Sequence, residues 1–206
     1  MRETMPKKSC IYLLRHGEID SQGQKVLIGQ MEVPLSARGK EQALWWKNQW
    51  ASISFAKVYC SDLVRSQQTA KLIVGDNEDF LEILPQLREI NLGRWEGLSA
   101  DDVERSFPGE WSKRGSNIDE YRPADGESFL DLRTRALPLF KEIVAQTETP
   151  VLIVGHAGVN RVILCDLLGI PLKNLFRLGQ DYGALNIIDS TGADLRLRIM
   201  NMCPDL

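Results

Sequence analysis

Val151-Leu152-Ile153-Val154 is an unbroken apolar run that stops abruptly at Gly155-His156-Ala157-Gly158. A β-branched run with no polar alternation suits a strand covered on both faces, the condition of a central strand in a parallel sheet. Parallel strands need crossover connections, usually helices, so this segment points to an α/β architecture. Matching pieces occur elsewhere. Cys10-Ile11-Tyr12-Leu13-Leu14 is another short apolar strand, ended by Arg15-His16-Gly17. Val58-Tyr59-Cys60 and Ile83-Leu84 read as further strands, and 184–189 and 195–200 as a final pair joined by a turn at Thr191-Gly192.

Helical patterns lie between the strands. Ser36 is placed to cap a helix through Gln42, Ala43, Trp46 and Trp50. Trp45, Trp46 and Trp50 crowd that helix, and core packing is their expected role. Ser61 or Asp62 opens a second helix, reaching about Val74. Residues 127–146 carry helical periodicity through Phe129, Leu132, Ala136, Leu139, Phe140 and Ile143, with Pro138 expected to bend the helix or weaken one turn. Residues 159–168 read as a helix closed by Gly169 and Pro171. Over 91–126 glycines and prolines recur around one short helical piece at 101–107. The expected fold is an α/β three-layer sandwich with a mostly parallel central sheet and helices on both faces. It is expected as a single domain over 1–206, with 91–126 as a small cap insertion over the active-site edge.

With 43% hydrophobic and 26% charged residues the chain is not disordered. A net charge of −3 gives no electrostatic footprint for nucleic acid. It leaves room for an anionic small ligand, because a few local arginines dominate one pocket. Cys10, Cys60, Cys165 and Cys203 form no CxxC pair and are expected as reduced, mostly buried thiols. The apolar run at 10–14 is too short for a signal peptide, and no stretch approaches a membrane span. A cytoplasmic protein is expected, with neither nucleic acid nor membrane as partner; a homodimer is left open.

The chain has two histidines, His16 and His156, each following an apolar strand and each followed closely by glycine. Ligands of open α/β sheets bind at the carboxyl ends of the strands. A lone histidine is more often a surface or core residue; the matched pair at one edge is the signal. Arg15 precedes His16, and Gly17 allows a tight turn that frees N–H groups for an anion. Arg65 opens a helix after a strand, where guanidinium and helix N-terminus together favour phosphate.

Four blocks resemble the histidine phosphatase superfamily, the phosphoglycerate-mutase-like enzymes. They are Leu14-Arg15-His16-Gly17-Glu18, the segment 61–69 around Arg65, Leu87-Arg88-Glu89 with Gly93-Arg94-Trp95-Glu96-Gly97, and Val154-Gly155-His156-Ala157-Gly158-Val159. They span nearly the whole chain in family order. One departure is Ile19, where the family usually has threonine. The family's nearby asparagine is also missing, with Ser21, Gln22 or Gln24 as stand-ins.

The resemblance implies that His16 attacks phosphorus and becomes phosphohistidine, its other ring N–H held by a backbone carbonyl. It implies that Arg15, Arg65 and His156 hold the phosphoryl oxygens, that Gly17 and Ala157 line the substrate site, and that Glu89 protonates the leaving oxygen. Glu18 and Glu96 are weaker candidates for the acid. No metal and no cofactor are expected: no Asp pair or Asp/His cluster has metal-ligand spacing, and two arginines repel a divalent ion. Arg161, one turn beyond His156, is expected to brace its helix rather than reach the pocket.

Within the superfamily, Gly29-Gln30-Met31-Glu32-Val33-Pro34-Leu35-Ser36 with Gly39, the Glu89 to Gly97 pattern, and the segment around Tyr182-Gly183-Ala184 resemble the α-ribazole phosphatases. Broad-specificity sugar and nucleotide phosphatases share these pieces. The implied activity is a metal-independent phosphomonoesterase acting on a small phosphorylated metabolite. α-Ribazole 5′-phosphate, of cobalamin biosynthesis, is the named candidate. Alternatives are a broad sugar or nucleotide phosphatase, a cofactor-dependent phosphoglycerate mutase, and a non-catalytic phosphometabolite-binding module. The short chain and compact insertion weigh against the mutase. The presence of nucleophile, arginines and acid together weighs against the binding module.

Overall fold

The computed structural model describes residues 9–75, 80–146, 150–191 and 194–206. Among them six strands form one sheet: β1 (Ser9–Arg15), β2 (Lys57–Cys60), β3 (Leu81–Ile83), β4 (Val151–Gly155), β5 (Leu185–Thr191) and β6 (Asp194–Met202), in the order β3-β2-β4-β1-β5-β6. The four strands from β3 to β1 run parallel, and β5 is antiparallel to both β1 and β6. Every residue of β4 is buried, as its unbroken apolar sequence requires. The edge strand β6 alternates exposed and half-buried residues, so one of its faces meets water. The sheet is therefore mixed but mostly parallel.

Strand pleating sorts the core into two halves. Ile11, Leu13, Val151 and Ile153 face the layer of α5 (Phe129–Gln146) and α6 (Ala157–Leu168). Leu14, Val58, Cys60, Leu152 and Val154 face the layer of α1 (Ala37–Gln49) and α2 (Val64–Val74). Helices thus cover both faces. Ser36 caps α1, its Oγ accepting from the Gly39 N–H at 3.0 Å. Trp46 and Trp50 are buried and stacked at 4.8 Å, and the Trp46 indole donates to the Gly183 carbonyl at 2.7 Å. These tryptophans are core residues.

Several elements differ from the sequence reading. Neither Ser61 nor Asp62 opens α2, which starts at Val64 after Leu63 with no side-chain cap. Asp62 is instead bound by the Arg88 guanidinium through two 2.7 Å hydrogen bonds, and Ser61 turns toward His156. Helix α6 starts at Ala157, two residues earlier than expected, and ends at Gly169 in a left-handed conformation (φ 64°). The third strand is Leu81–Ile83, and α5 runs on through Pro138. The 91–126 segment holds two helices rather than one: α3 (Ala100–Ser106), opened by a Ser99–Asp102 capping box, and α4 (Glu110–Ser116). Cys60 and Cys165 are buried thiols as expected, but Cys10 is half-buried and Cys203 exposed. Gly192, in the expected final turn, lies outside the described residues. Among the described residues no helix is long and apolar enough to cross a membrane.

Register decides where the chemistry falls. Arg15 pairs with Gly155 across β1 and β4, and Cys60 with Val154 across β2 and β4. Three strands end level, and the residues that follow them, His16, Ser61 and His156, meet at one point.

Candidate active site

The His16 and His156 rings stand 5.0 Å apart, centroid to centroid. The His16 backbone N–H donates to the Gly155 carbonyl at 3.1 Å, tying the two strand ends together. The His16 Nδ1 lies 2.7 Å from the Gly17 carbonyl oxygen. A carbonyl oxygen only accepts, so Nδ1 carries the proton and Nε2 keeps its lone pair. Burial first, then the charges of Arg15 and Arg65, hold the His16 pKa well below the ordinary histidine value, so the ring is neutral at pH 7.

Gly17 serves differently from expectation. Its N–H is not free for an anion, because it donates to Thr69 Oγ1 at 3.1 Å. What requires glycine is space: any Cβ at 17 would overlap the Gly39 backbone.

Around His16 stand cationic and N–H donors. Arg15 donates from Nη1 to the Gln180 carbonyl at 2.6 Å and lies over the Tyr182 ring at 3.8 Å, while its buried Nε–H has no partner. Arg65, second residue of α2, is 1% exposed and donates to the Met31 and Gly29 carbonyls, each at 2.7 Å. His156 Nε2 lies 2.7 Å from Ser61 Oγ. That hydroxyl also accepts, at 3.4 Å, from the Leu63 N–H. Ser61 has no other acceptor among the described residues, so its hydroxyl donates to Nε2 and the proton of His156 sits on Nδ1. This Nδ1 is buried without a partner. Burial, His16 and Arg65, in that order, lower the His156 pKa as well. Two buried N–H donors without acceptors among the described residues, beside two guanidinium groups, make a site for an anion.

Glu89 is the one carboxylate among the described residues lining the cleft. Both of its oxygens accept from the Gly158 N–H (3.1 and 3.0 Å), and Oε1 also from the Ile90 N–H at 2.9 Å. The carboxyl group thus sits at the N-terminus of α6, held by backbone N–H groups on either side of the cleft. A Cβ at Gly158 would collide with Glu89 Oε1, so that glycine makes room for the acid. Glu18 and Glu96 are elsewhere. Glu18 accepts from the Ser36 hydroxyl, and Glu96 Oε1 from the Gln30 and Leu92 N–H groups.

The cleft above His16 has a volume of about 390 Å³. Ile19, Leu27, Ile90, Leu92 and Ala157 supply apolar surface, and Trp111, Phe129, Phe176 and Tyr182 supply rings. Ile19 lines the cleft, whereas Ser21, Gln22 and Gln24 do not, so none of the three stands in for the family's asparagine. Arg161 does more than brace: its Nε donates to the Leu178 carbonyl at 3.0 Å, and its side chain also lines the cleft. Sequence reasoning missed Trp111, Arg114 and Phe176, which also line it. The one available signal was a tryptophan and an arginine three residues apart between glycines, at helical spacing. No cluster of three or more His, Cys, Asp or Glu suited to a metal occurs among the described residues.

A family model described as histidine phosphatase superfamily (branch 1) matches residues 11–202. The adenosylcobalamin/α-ribazole phosphatase of Escherichia coli (strain K12) is 29% identical over 192 residues, 93% of this chain and 95% of that protein. A glucosyl-3-phosphoglycerate phosphatase of Mycolicibacterium vanbaalenii is 32% identical over 179 residues, 82% of this chain and 78% of its own. The crystal structure of the α-ribazole phosphatase from Shigella flexneri matches with a TM-score of 0.86 at 29% identity, covering 93% of this chain and 96% of that one.

Proposed function

The chain belongs to the histidine phosphatase superfamily, branch 1, and from that premise we propose that it hydrolyses a small organic phosphomonoester through a phosphohistidine at His16. The observation that carries the assignment is the Nδ1–H of His16 fixed on the Gly17 carbonyl, which leaves Nε2 as an unprotonated nucleophile at the cleft floor.

In the first step the Nε2 lone pair attacks phosphorus. The P–N bond forms as the ester P–O bond breaks, and the leaving oxygen takes a proton from Glu89. In the second step water attacks phosphorus, Glu89 takes the water's proton back, and the P–N bond breaks to release inorganic phosphate. Arg15, Arg65 and the His156 Nδ1–H hold the three outer phosphoryl oxygens as charge redistributes. These donors supply the charge that a metal ion supplies in other phosphatases, and no cofactor enters either step.

Two substrates named by the relatives' activities have support in the cleft. The rings of Trp111, Phe129 and Phe176 suit the flat heteroaromatic group of α-ribazole 5′-phosphate. The guanidinium groups on the same wall suit the carboxylate of glucosyl-3-phosphoglycerate.

The test is His16→Ala with acid-labile labelling. Wild-type enzyme quenched during turnover of a ³²P-labelled monoester is expected to hold protein-bound phosphate that mild acid releases. His16→Ala should hold none and lose about four or more powers of ten in kcat. Retention of a tenth of the wild-type rate in His16→Ala would place the nucleophile elsewhere. Activity is expected to survive EDTA; a loss restored by a divalent ion would overturn the metal-free reading.

A further inference from the structure

Charge is unevenly spent in this molecule. Arg88, Arg94, Arg105, Arg122, Arg133, Arg135 and Arg198 each pair with a carboxylate. The four arginines of the cleft, Arg15, Arg65, Arg114 and Arg161, make no ion pair among the described residues; Arg38, Arg177 and Arg196 make none either, but those three are exposed to water, whereas the cleft four are buried or half-buried and their lining carries a single carboxylate, Glu89. A phosphomonoester dianion at His16 is matched by Arg15 and Arg65. Arg114 and Arg161 stand beyond that need.

Arg114 is the more telling of the two. Its guanidinium donates no hydrogen bond to any described residue and is surrounded by rings: Trp111 at 5.6 Å, Phe176 at 5.7 Å and Phe129 at 5.8 Å. Desolvation by these neighbours lowers its pKa, yet a guanidinium stays charged. Ring faces offset only part of the lost hydration, and they satisfy none of the five N–H donors. Arg161 stands over the same Phe176 ring at 5.2 Å, held from Nε by the Leu178 carbonyl, with its terminal nitrogens bonded to no described residue. Two forks with free donors, mounted on one phenylalanine and opening into one cleft, form a receptor for a second anion. Planar forked donors match a carboxylate or a phosphate, and of the two substrates above only the phosphoglycerate ester carries such a group, a carboxylate, away from the scissile phosphate.

We propose that Arg114 and Arg161 form a second anion subsite that selects phosphomonoesters bearing a carboxylate away from the scissile phosphate. The proposal rests on the phosphatase reading of His16 and chooses between the two substrates above. α-Ribazole 5′-phosphate has no second anion to pair with the outer forks; an acid-bearing phosphoester does.

Two matched pairs test it, each differing only by a carboxylate in place of a CH₂OH group: 3-phosphoglycerate against glycerol 3-phosphate, and 6-phosphogluconate against glucitol 6-phosphate. The acid is expected to be preferred by about ten- to a hundredfold in kcat/KM in the pair whose length fits. Arg114→Met and Arg161→Met keep the apolar stem against Phe176 and remove the fork. Each should cut that preference about tenfold or more, through KM, with thermal unfolding confirming the fold. Arg114→Lys, which keeps charge but not the fork, should fall between. p-Nitrophenyl phosphate is assayed in parallel. If wild type hydrolyses it but favours the acid in neither pair, or if the preference survives both methionine variants, the subsite is wrong and the phosphatase reading stands. If wild type hydrolyses none of the five phosphates, the phosphatase reading itself falls.

Discussion

The floor and the wall of the cleft are built by opposite means. The floor is made by strand ends. Arg15 and Gly155 are register partners, His16 is bonded to the Gly155 and Gly17 carbonyls, and His156 is bonded to Ser61. Each group sits on a buried parallel sheet and has little freedom. The outer wall leans on α4, a seven-residue helix with no buried residue, opened by Gly109 at φ 80° without a side-chain cap. A helix that short has little stability of its own. Ring contacts hold it, Trp111 to Trp95 at 5.7 Å and Tyr121 to Trp95 at 5.4 Å, together with the Tyr121 hydroxyl donating to Glu110 at 2.7 Å. On the proposed reading, the reacting groups are set in the sheet and the selecting groups on a short, loosely anchored helix. Breaking the floor should injure every phosphomonoester, and breaking the wall should reorder them.

Below loss of the nucleophile, the largest break in the floor is Glu89→Gln. A general acid matters in proportion to how poorly the leaving group departs. An alkyl alcohol needs the proton, whereas p-nitrophenolate leaves without it. The expected loss is about two to four orders of magnitude in kcat on an alkyl phosphate, and much less on p-nitrophenyl phosphate. Equal losses on both would take the acid role away from Glu89. Neither Glu18 nor Glu96 is then a ready replacement, since both are held by loop hydrogen bonds outside the cleft lining.

A gentler break is Gly158→Ala. The added methyl meets Glu89 Oε1 and, at 3.2 Å, Leu132 Cδ2. The carboxylate must shift, and the hydrogen bond from the Gly158 N–H stretches with it. Alanine is the better helix former by about 1 kcal/mol, so helix propensity does not account for any loss. The expected outcome is a fall of about ten- to a hundredfold on an alkyl phosphate, with the substrate pattern of Glu89→Gln in weaker form, since a misplaced acid loses much of the general-acid contribution. A uniform fall on alkyl and aryl esters would mean that the floor as a whole had moved.

The same contrast explains what the sequence made legible. Floor residues announce themselves because each ends an apolar run: Leu14 before Arg15-His16, Val154 before Gly155-His156. The pleat then decides which way they face. Ser36 was readable as a cap because its partner, Gly39, is three residues away. Ser61 and Asp62 misled because polar residues between a strand and a helix look like a cap, while their actual partners, His156 and Arg88, are distant in sequence and close in space. Gly17 misled in a related way. Glycine signals either a free N–H or a close approach, and only the position of the Gly39 backbone selects the second. The wall was illegible because α4 is too short for periodicity to register. Arg114 gains meaning only from rings on three elements.

Acidity gives the subtlest separation of the two regions, since it touches the floor and leaves the guanidinium groups of the wall charged. His16 and His156 both have pKa values held well below the ordinary value of about 6.5. In the unfolded chain both titrate near 6.5. Between that value and their folded values the unfolded state therefore binds more protons, and stability falls as pH falls. Their contribution is undiminished above about pH 6.5, and each histidine steepens the decline below it by about 1.4 kcal/mol per pH unit. As the proposed nucleophile, His16 with its lowered pKa keeps its lone pair below the pH at which an ordinary histidine is protonated, so kcat at saturating p-nitrophenyl phosphate should change less than about twofold from pH 7.5 to 6.5 and fall later than stability does. Chemical denaturation at each pH and kcat on the same samples give both curves. A kcat that drops tenfold per unit below pH 6.5, with stability flat, would mean that His16 takes up a proton as readily folded as unfolded. Burial and the two arginines would then not be what keeps it a nucleophile.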